Sequence, residues 1–411
     1  MLPPVSLARF LVRALSVLCL LPVLGRSAAA QTAAEAKWYD RIRFEGDFRP
    51  RFDMTHQDMG EGKEDEDLRN RFRFRFRLGA SATINQQFAV GFRVASNEGK
   101  NPTSGNVTFG SGTAPKTIVL DQVWATWTPN TTLSVTAGKF ANPVEKPAAG
   151  FRSELVWDED FAPEGLSETI TLRRASKGLV RRVAVHLEQW YLQEYSKASD
   201  TWMLGGQALV DLKPSERATL NLAGGYYGYA NVGPLAQVAN GNDQVNVSNS
   251  VVLKDGTVQE GGKLIKPDPA NPFDHFASGF GQLHGSAALR VDRIAGEAGL
   301  QVYGEVVHNL EADDHGTGYQ FGVGLDRMRK LPGWSVAAVW VHLEQEAVLS
   351  MFSYSDLGRG GTNQEGLIAA VQYRPVRGVT LALREHIVSP IRTVQPDTPV
   401  NRLQADVSFS F

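Results

Sequence analysis

The sequence predicts an all-β chain, a closed transmembrane antiparallel barrel of about sixteen strands, with fourteen and eighteen as the neighbouring counts. Three observations carry this. Apolar and polar residues alternate with period two over most of the chain, the links between alternating segments are short and long by turns, and one segment sets five Arg on a single face. A strand puts successive side chains on opposite sides of a sheet, whereas a helix would scatter the five Arg around its surface. At 411 residues the prior is two or three soluble domains. One large closed sheet replaces that prior. A formal net charge of -2 excludes a polycationic nucleic-acid binder, and negative mean hydropathy excludes a bundle of membrane helices.

The chain opens with a targeting segment. Arg9 and Arg13 supply a charged region, Leu11 to Leu24 an apolar one, and Ala28-Ala29-Ala30 a small-residue end. Residues 1–30 therefore read as a secretory signal cleaved before Gln31. The lone Cys19 leaves with it. Residues 31–39 read as a short periplasmic segment and 40–411 as the barrel.

The first strand, 40–52, sets Ile42, Phe44, Phe48 and Phe52 against Arg41, Arg43, Glu45, Asp47, Arg49 and Arg51. The second, 67–80, sets Phe72, Phe74, Phe76 and Leu78 against Arg69, Arg71, Arg73, Arg75 and Arg77. An Arg on the lipid face costs roughly 2–4 kcal/mol at the midplane. The Arg face must therefore point inward. Further strands are expected at 86–97, 118–128, 132–140, 168–175, 179–192, 200–212, 217–230, 275–291, 296–310, 317–328, 334–345, 364–374, 378–389 and 400–411. Short links such as Pro129-Asn130 and Lys213-Pro214-Ser215 carry turn residues. The longer links include 53–66, 98–117, 141–167, 231–274, 346–363 and 390–399. Short turns on one side and long loops on the other are the outer-membrane arrangement, with the turns in the periplasm. Closure also pairs the backbone groups that lipid cannot satisfy. Trp124, Trp127, Trp190, Tyr191, Trp334 and Phe411 lie near strand ends and fit interfacial girdles. The last strand alternates Leu403, Ala405, Val407, Phe409 and Phe411 with Arg402 and polar residues. Phe409 and Phe411 resemble the terminal signal read by the barrel assembly machinery.

The stretch Gly138-Lys139-Phe140-Ala141-Asn142-Pro143, then Ser153-Glu154-Leu155-Val156-Trp157-Asp158-Glu159-Asp160 and Pro163-Glu164-Gly165, resembles a recurring segment of the bacterial putative-porin family. Those proteins are outer-membrane barrels. Val144 stands where members often carry an aromatic. The resemblance implies passive diffusion of small hydrophilic solutes through a water-filled channel. The expected partners are outer-membrane lipids and lipopolysaccharide, the barrel assembly machinery and such solutes, with a homotrimer as an assembly state. No nucleic acid, cofactor or metal is expected.

The candidate pore-lining residues are Arg43, Arg49, Arg51, Arg69, Arg71, Arg73, Arg75, Arg77, Arg93, Arg182 and Arg402. Either they form an open cationic wall that draws anions, or a ladder neutralised by neighbouring acids, with Glu45 and Asp47 the obvious partners. The loop 141–167 is a candidate constriction through Glu145, Glu154, Asp158, Glu159, Asp160 and Glu164. Folded inward, these acids would oppose the Arg wall across an eyelet. Left outside, they are solvated. Divalent-cation binding by Asp158, Glu159 and Asp160, or near His308 and His315, is a weaker alternative. The run Glu61, Glu64, Asp65, Glu66, Asp67 reads as solvated. No nucleophile elbow, P-loop or Cys pair marks an enzyme. Three other functions stay open: an outer-membrane enzyme, an exporter of a polyanionic polysaccharide, and a structural or adhesive barrel plugged by 231–274.

Overall fold

Sixteen long strands pair antiparallel in chain order, and the last pairs with the first. In the computed structural model the described residues are 38–60, 68–99, 101–146, 154–196, 198–242, 244–394 and 396–411. The chain divides into two units, Met1–Ile42 and Arg43–Phe411. Within the first, the described part is the short 3-10 turn Trp38–Arg41 and Ile42. The expected signal segment 1–30, most of 31–39 and the acidic run 61–67 lie outside the described residues. The second unit is the barrel.

The strands are β1 (Ile42–His56), β2 (Leu68–Thr83), β3 (Phe88–Ser96), β4 (Ile118–Trp127), β5 (Leu133–Lys139), β6 (Glu164–Arg174), β7 (Val180–Gln193) and β8 (Thr201–Ser215). They continue as β9 (Ala218–Ala230), β10 (Gly281–Ala295), β11 (Ala298–Asn309), β12 (Thr317–Asp326), β13 (Gly333–Leu343), β14 (Gln364–Val376), β15 (Val379–Pro390) and β16 (Val400–Ser410). A two-residue bridge, Val107–Thr108, also pairs with β2. Among the described residues no helix is long and apolar enough to cross a membrane. The expected strands are all present, with ends moved by a few residues. Two shifts matter. β1 runs on to His56, so Asp53, read as loop, is a strand residue. β6 begins at Glu164, so that acid belongs to the wall and not to the loop before it.

The two faces differ as the alternation requires. Phe72, Phe321 and Leu283 are exposed at 62%, 59% and 54%, whereas Arg51 and Gln207 are buried. A closed sheet with loops folded into it can bury only its inner face, so the exposed apolar belt is the lipid face. Register closes the cylinder at β1 and β16, where Arg51 stands opposite Asp406 and Phe48 opposite Phe409. Phe48 and Phe409 stack there at 6.3 Å. Phe411 exchanges backbone hydrogen bonds with Gly46 at 3.0 and 3.1 Å. A Cβ on Gly46 would come within 2.8 Å of the Phe411 ring and the Arg77 carbonyl.

The long connections at the extracellular end are L1 (57–67), L2 (97–117), L3 (140–163), L4 (194–200), L5 (231–280), L6 (310–316), L7 (344–363) and L8 (391–399). L5 contains the 3-10 helix Gly233–Ala239 and a small sheet of Val251–Leu253, Val258–Gln259 and Phe273–Phe276. Phe273–Phe276 belongs to that sheet and not to the barrel strand expected from residue 275.

Candidate functional site

L3 leaves the wall between two paired glycines. Gly138 and Gly165 face each other across β5 and β6, at φ 118° and 139°. A Cβ at either would lie 2.2–2.3 Å from a carbonyl of the next strand. Only glycine meets both demands, positive φ and close approach. This bend sits where L3 turns inward.

The described parts of L3, 140–146 and 154–163, touch two different walls. On the first, Asp160 accepts hydrogen bonds from Arg75 at 2.9 Å and Arg77 at 3.1 Å. Glu159 lies 3.2 Å from Arg75 and 3.6 Å from Arg49. Gly105 of L2 donates its N–H to Asp160. On the second, Trp157 packs edge-on against Trp190 at 5.1 Å and Tyr227 at 5.7 Å. Phe161 meets Phe352 of L7 at 4.6 Å. Asp158 donates its N–H to the Phe352 carbonyl, and its carboxylate accepts the Ser355 N–H, both at 2.8 Å. These bonds tie L3 to L7. Between Glu145 and Glu154 lie residues 147–153, outside the described set. Glu145 pairs with Arg182 and lies 3.5 Å from His186. Glu164 pairs with Lys139 of β5 and is mostly exposed, apart from the other acids.

The Arg face is dense with acids. Asp53, fully buried, takes Arg402 at 2.8 Å and Arg71 at 2.6 Å, with Arg73 at 3.6 Å. Asp47 takes Arg75 at 3.1 Å and Arg77 at 2.6 Å. Asp406 holds Arg51 at 2.6 Å. Asp356, from L7, bridges Arg51 at 2.5 Å and Arg402 at 2.9 Å. Arg93 pairs with Asp121 of β4. Arg43 and Arg69 are exposed. Arg49, Arg51, Arg73, Arg75 and Arg402 are buried beneath L2, L3 and L7. The loops cover these five candidate pore-lining residues. Trp190 is not a girdle residue: it is fully buried and donates to Glu188.

Burial and charge set the loop acids apart. Burial pushes the Glu154 carboxyl up to about 7, helped by nearby Glu159. It raises Asp158 well above the carboxylate range, with Glu154 and Asp160 adding repulsion. Asp160 and Asp356 feel the same burial, but their arginines outweigh it and hold both below the ordinary value. Glu145 is brought down to about 2, its burial overcome by His186 and Arg182.

Asp356 and L7 were not singled out by the sequence, and L5 only as a possible plug. L7 lies against L5 through a buried polar seam. Asn249 donates to the Gln345 and Val348 carbonyls at 2.7 and 2.9 Å, and Ser350 donates its N–H back to Asn249. A signal was present. Val348, Leu349, Met351, Phe352 and Leu357 are too apolar for a solvated loop, and all are buried. Among the described residues no group of three or more His, Cys, Asp or Glu side chains is placed to hold a metal ion.

Comparison with known proteins follows the geometry. The sequence matches the family described as "putative porin" over residues 62–263 and 285–411. Among solved structures, OprB of Pseudomonas putida is similar at TM-score 0.57 and 12% identity, covering 91% of this chain and 96% of that one. OmpF of Salmonella typhi, solved with daunomycin, is similar at TM-score 0.51 and 10% identity, covering 90% and 97%. No curated protein matches.

Proposed function

We propose, for a chain that belongs to the putative porin family and resides in the bacterial outer membrane, a channel for passive diffusion of small hydrophilic solutes, narrowed by L3. The carrying observation is that Glu159 and Asp160 of L3 reach Arg49, Arg75 and Arg77 on the inner face of a closed barrel. Because the ladder's buried arginines are matched by Asp47, Asp53, Asp356, Asp406 and the L3 acids, this wall orients solutes more than it selects anions. A polyanion exporter fits less well, since it needs uncompensated cations. The role is non-catalytic.

Around this reading, residues 1–30 act as the cleaved signal, and Phe409 and Phe411 as the assembly signal. The exposed belt meets lipid and lipopolysaccharide. A homotrimer is the expected assembly, to be checked by crosslinking in outer membranes.

The test is single-channel conductance in planar bilayers, for wild type and for Glu159→Gln with Asp160→Asn. Wild type should conduct, and the variant should change conductance and shift reversal potential toward anions. A second reading, a plugged barrel, is favoured by the apolar core that L3, L5 and L7 share with Trp190, Tyr227 and Tyr229. Silence of wild type, with conductance only after removal of 240–272, would establish the plug and sink the open channel.

A further inference from the structure

At the short-turn end the barrel forms an open recess of about 780 Å³, bounded by the β6–β7 and β8–β9 turns. Its wall carries Lys177, Arg181 and Lys213, with Asp211, Glu216 and Asn221. This is the inner face. Asp211 lies 3.8 Å from Arg182, and Arg182 binds Glu145 of L3. Asp211 is already engaged, since it also accepts from Asn221 at 2.6 Å. The turn backbones hold the cations together: Lys213 donates its N–H to the Leu179 carbonyl at 2.7 Å, and Ala175 to the Arg181 carbonyl at 2.8 Å. The Arg181 Nε–H is shut off from solvent without a hydrogen-bond partner. The contrast with the upper wall is chemical. There each buried guanidinium meets a carboxylate or amide. Here three cations line open space, with Glu216 the one acid of the lining not tied to a neighbouring side chain among the described residues.

We infer that this vestibule is a docking site for small oxyanions, dicarboxylates or phosphates, on the periplasmic side of the eyelet. Lys177 and Lys213 supply compact point charges, and Arg181 a planar fork suited to a carboxylate or phosphate edge. Several cations around one recess raise the local anion concentration. Glu216 opposes them and keeps the site weak, so the anion can leave. A pore needs that balance. The inference rests on the channel reading for its role in transport, but binding itself does not require conduction.

The experiment therefore measures both. Detergent-purified, heat-modifiable protein is titrated calorimetrically with succinate and, separately, with inorganic phosphate at low ionic strength. Wild type should bind at least one of them. Lys177→Gln with Arg181→Gln and Lys213→Gln should weaken binding about tenfold or more, and Glu216→Gln should strengthen it by about two- to threefold. Binding of both probes would mean that charge is recognised, and of one alone that its oxyanion geometry is. Should the triple variant fail to fold, Glu216→Gln and single Lys213→Gln still carry opposite expected signs. Wild type that binds neither probe, or variants that bind as wild type does, would overturn the site. A silent bilayer with intact binding would reject the channel and leave the site standing.

Discussion

L3 is held between two walls that work by different physics. The wall of β1 and β2 grips it through charge, Asp160 and Glu159 against Arg75, Arg77 and Arg49. The wall of β7 and β9 grips it through aromatic packing, Trp157 against Trp190, Tyr227 and Tyr229. Charge pairs fix position and register but bring a desolvation cost that only good geometry offsets. Aromatic contacts desolvate no charge and tolerate small displacement, at the cost of burying the Trp157 indole N–H and the Tyr227 and Tyr229 hydroxyls without a hydrogen-bond partner among the described residues. A loop pinned from both sides keeps its acids at a defined place in the lumen. Either wall can be weakened separately.

The largest effect should come from the charged side. Asp356 is buried between Arg51 and Arg402. Asp356→Asn keeps the shape and removes the charge, leaving two guanidinium groups underpaired. Breaking one buried pair costs about 3–5 kcal/mol, so a loss near the top of that range is expected. It would appear as a lower temperature for loss of the heat-resistant barrel band. Asp356→Asn combined with Arg51→Met and Asp406→Asn, which removes the charge that Arg51 would leave behind, should recover part of the loss. A single Asp356→Asn that melts like wild type would mean the Asp356 bridge contributes no clamp.

The aromatic side should lose somewhat less. Trp157→Ala removes the ring that meets Trp190, Tyr227 and Phe161. Truncating a buried aromatic costs about 3–5 kcal/mol when the site cannot collapse, and a loop tip collapses more readily than a core, so about 3 kcal/mol is expected. The discriminating readout is channel noise. With the aromatic anchor gone, L3 should still hold by its acids but fluctuate, giving larger current noise at unchanged reversal potential. A shift in reversal potential without added noise would contradict the division of labour.

The walls were legible in the sequence and the loops only partly so. Period two on the Arg69–Arg77 segment leaves one arrangement that lipid permits, so strand identity and facing follow from Phe72 and Arg73 alone. The acids of 141–167 could also be marked from their charge, but not their partners. Asp160 meets Arg75 across 85 residues, and Arg51 meets Asp356 across 305. Pairings at that separation depend on register and loop path, which no local pattern encodes. Asp53 was hidden by a strand end misjudged by a few residues. L7 reads in the sequence only as one of the longer links, although its apolar run marks it as buried. The glycines Gly138 and Gly165 stood inside the family-like segment, but only their backbone angles show them to be the bend.

The smallest effect sharpens the comparison through pH. Glu154 and Asp158 sit buried in L3, and burial raises both, Glu154 to about 7. The docked loop thus binds more protons than an undocked, solvated one. Stability of docking then falls as pH rises, from the ordinary glutamate value near 4.5 up to about 7. Asp160 runs the other way. Its arginines hold it low, so its contribution is present at neutral pH and is lost only as pH falls below the ordinary aspartate value. The window between about pH 5 and 7 therefore belongs to Glu154, with Asp158 shifted in the same direction, and a weakening of about 2 kcal/mol from Glu154 across it is the expected size. Other charged groups face Glu154: Glu159, Lys146, Arg384 and Asp356. The part of the slope due to these two carboxyls should vanish in Glu154→Gln combined with Asp158→Asn. Hydrogen exchange of 154–161 read at pH 5 and pH 7.5, corrected for intrinsic rates, checks it. Wild type should lose protection at the higher pH. The double variant should be flatter, and an equal slope in both would show that the loop's docking does not depend on these two protons.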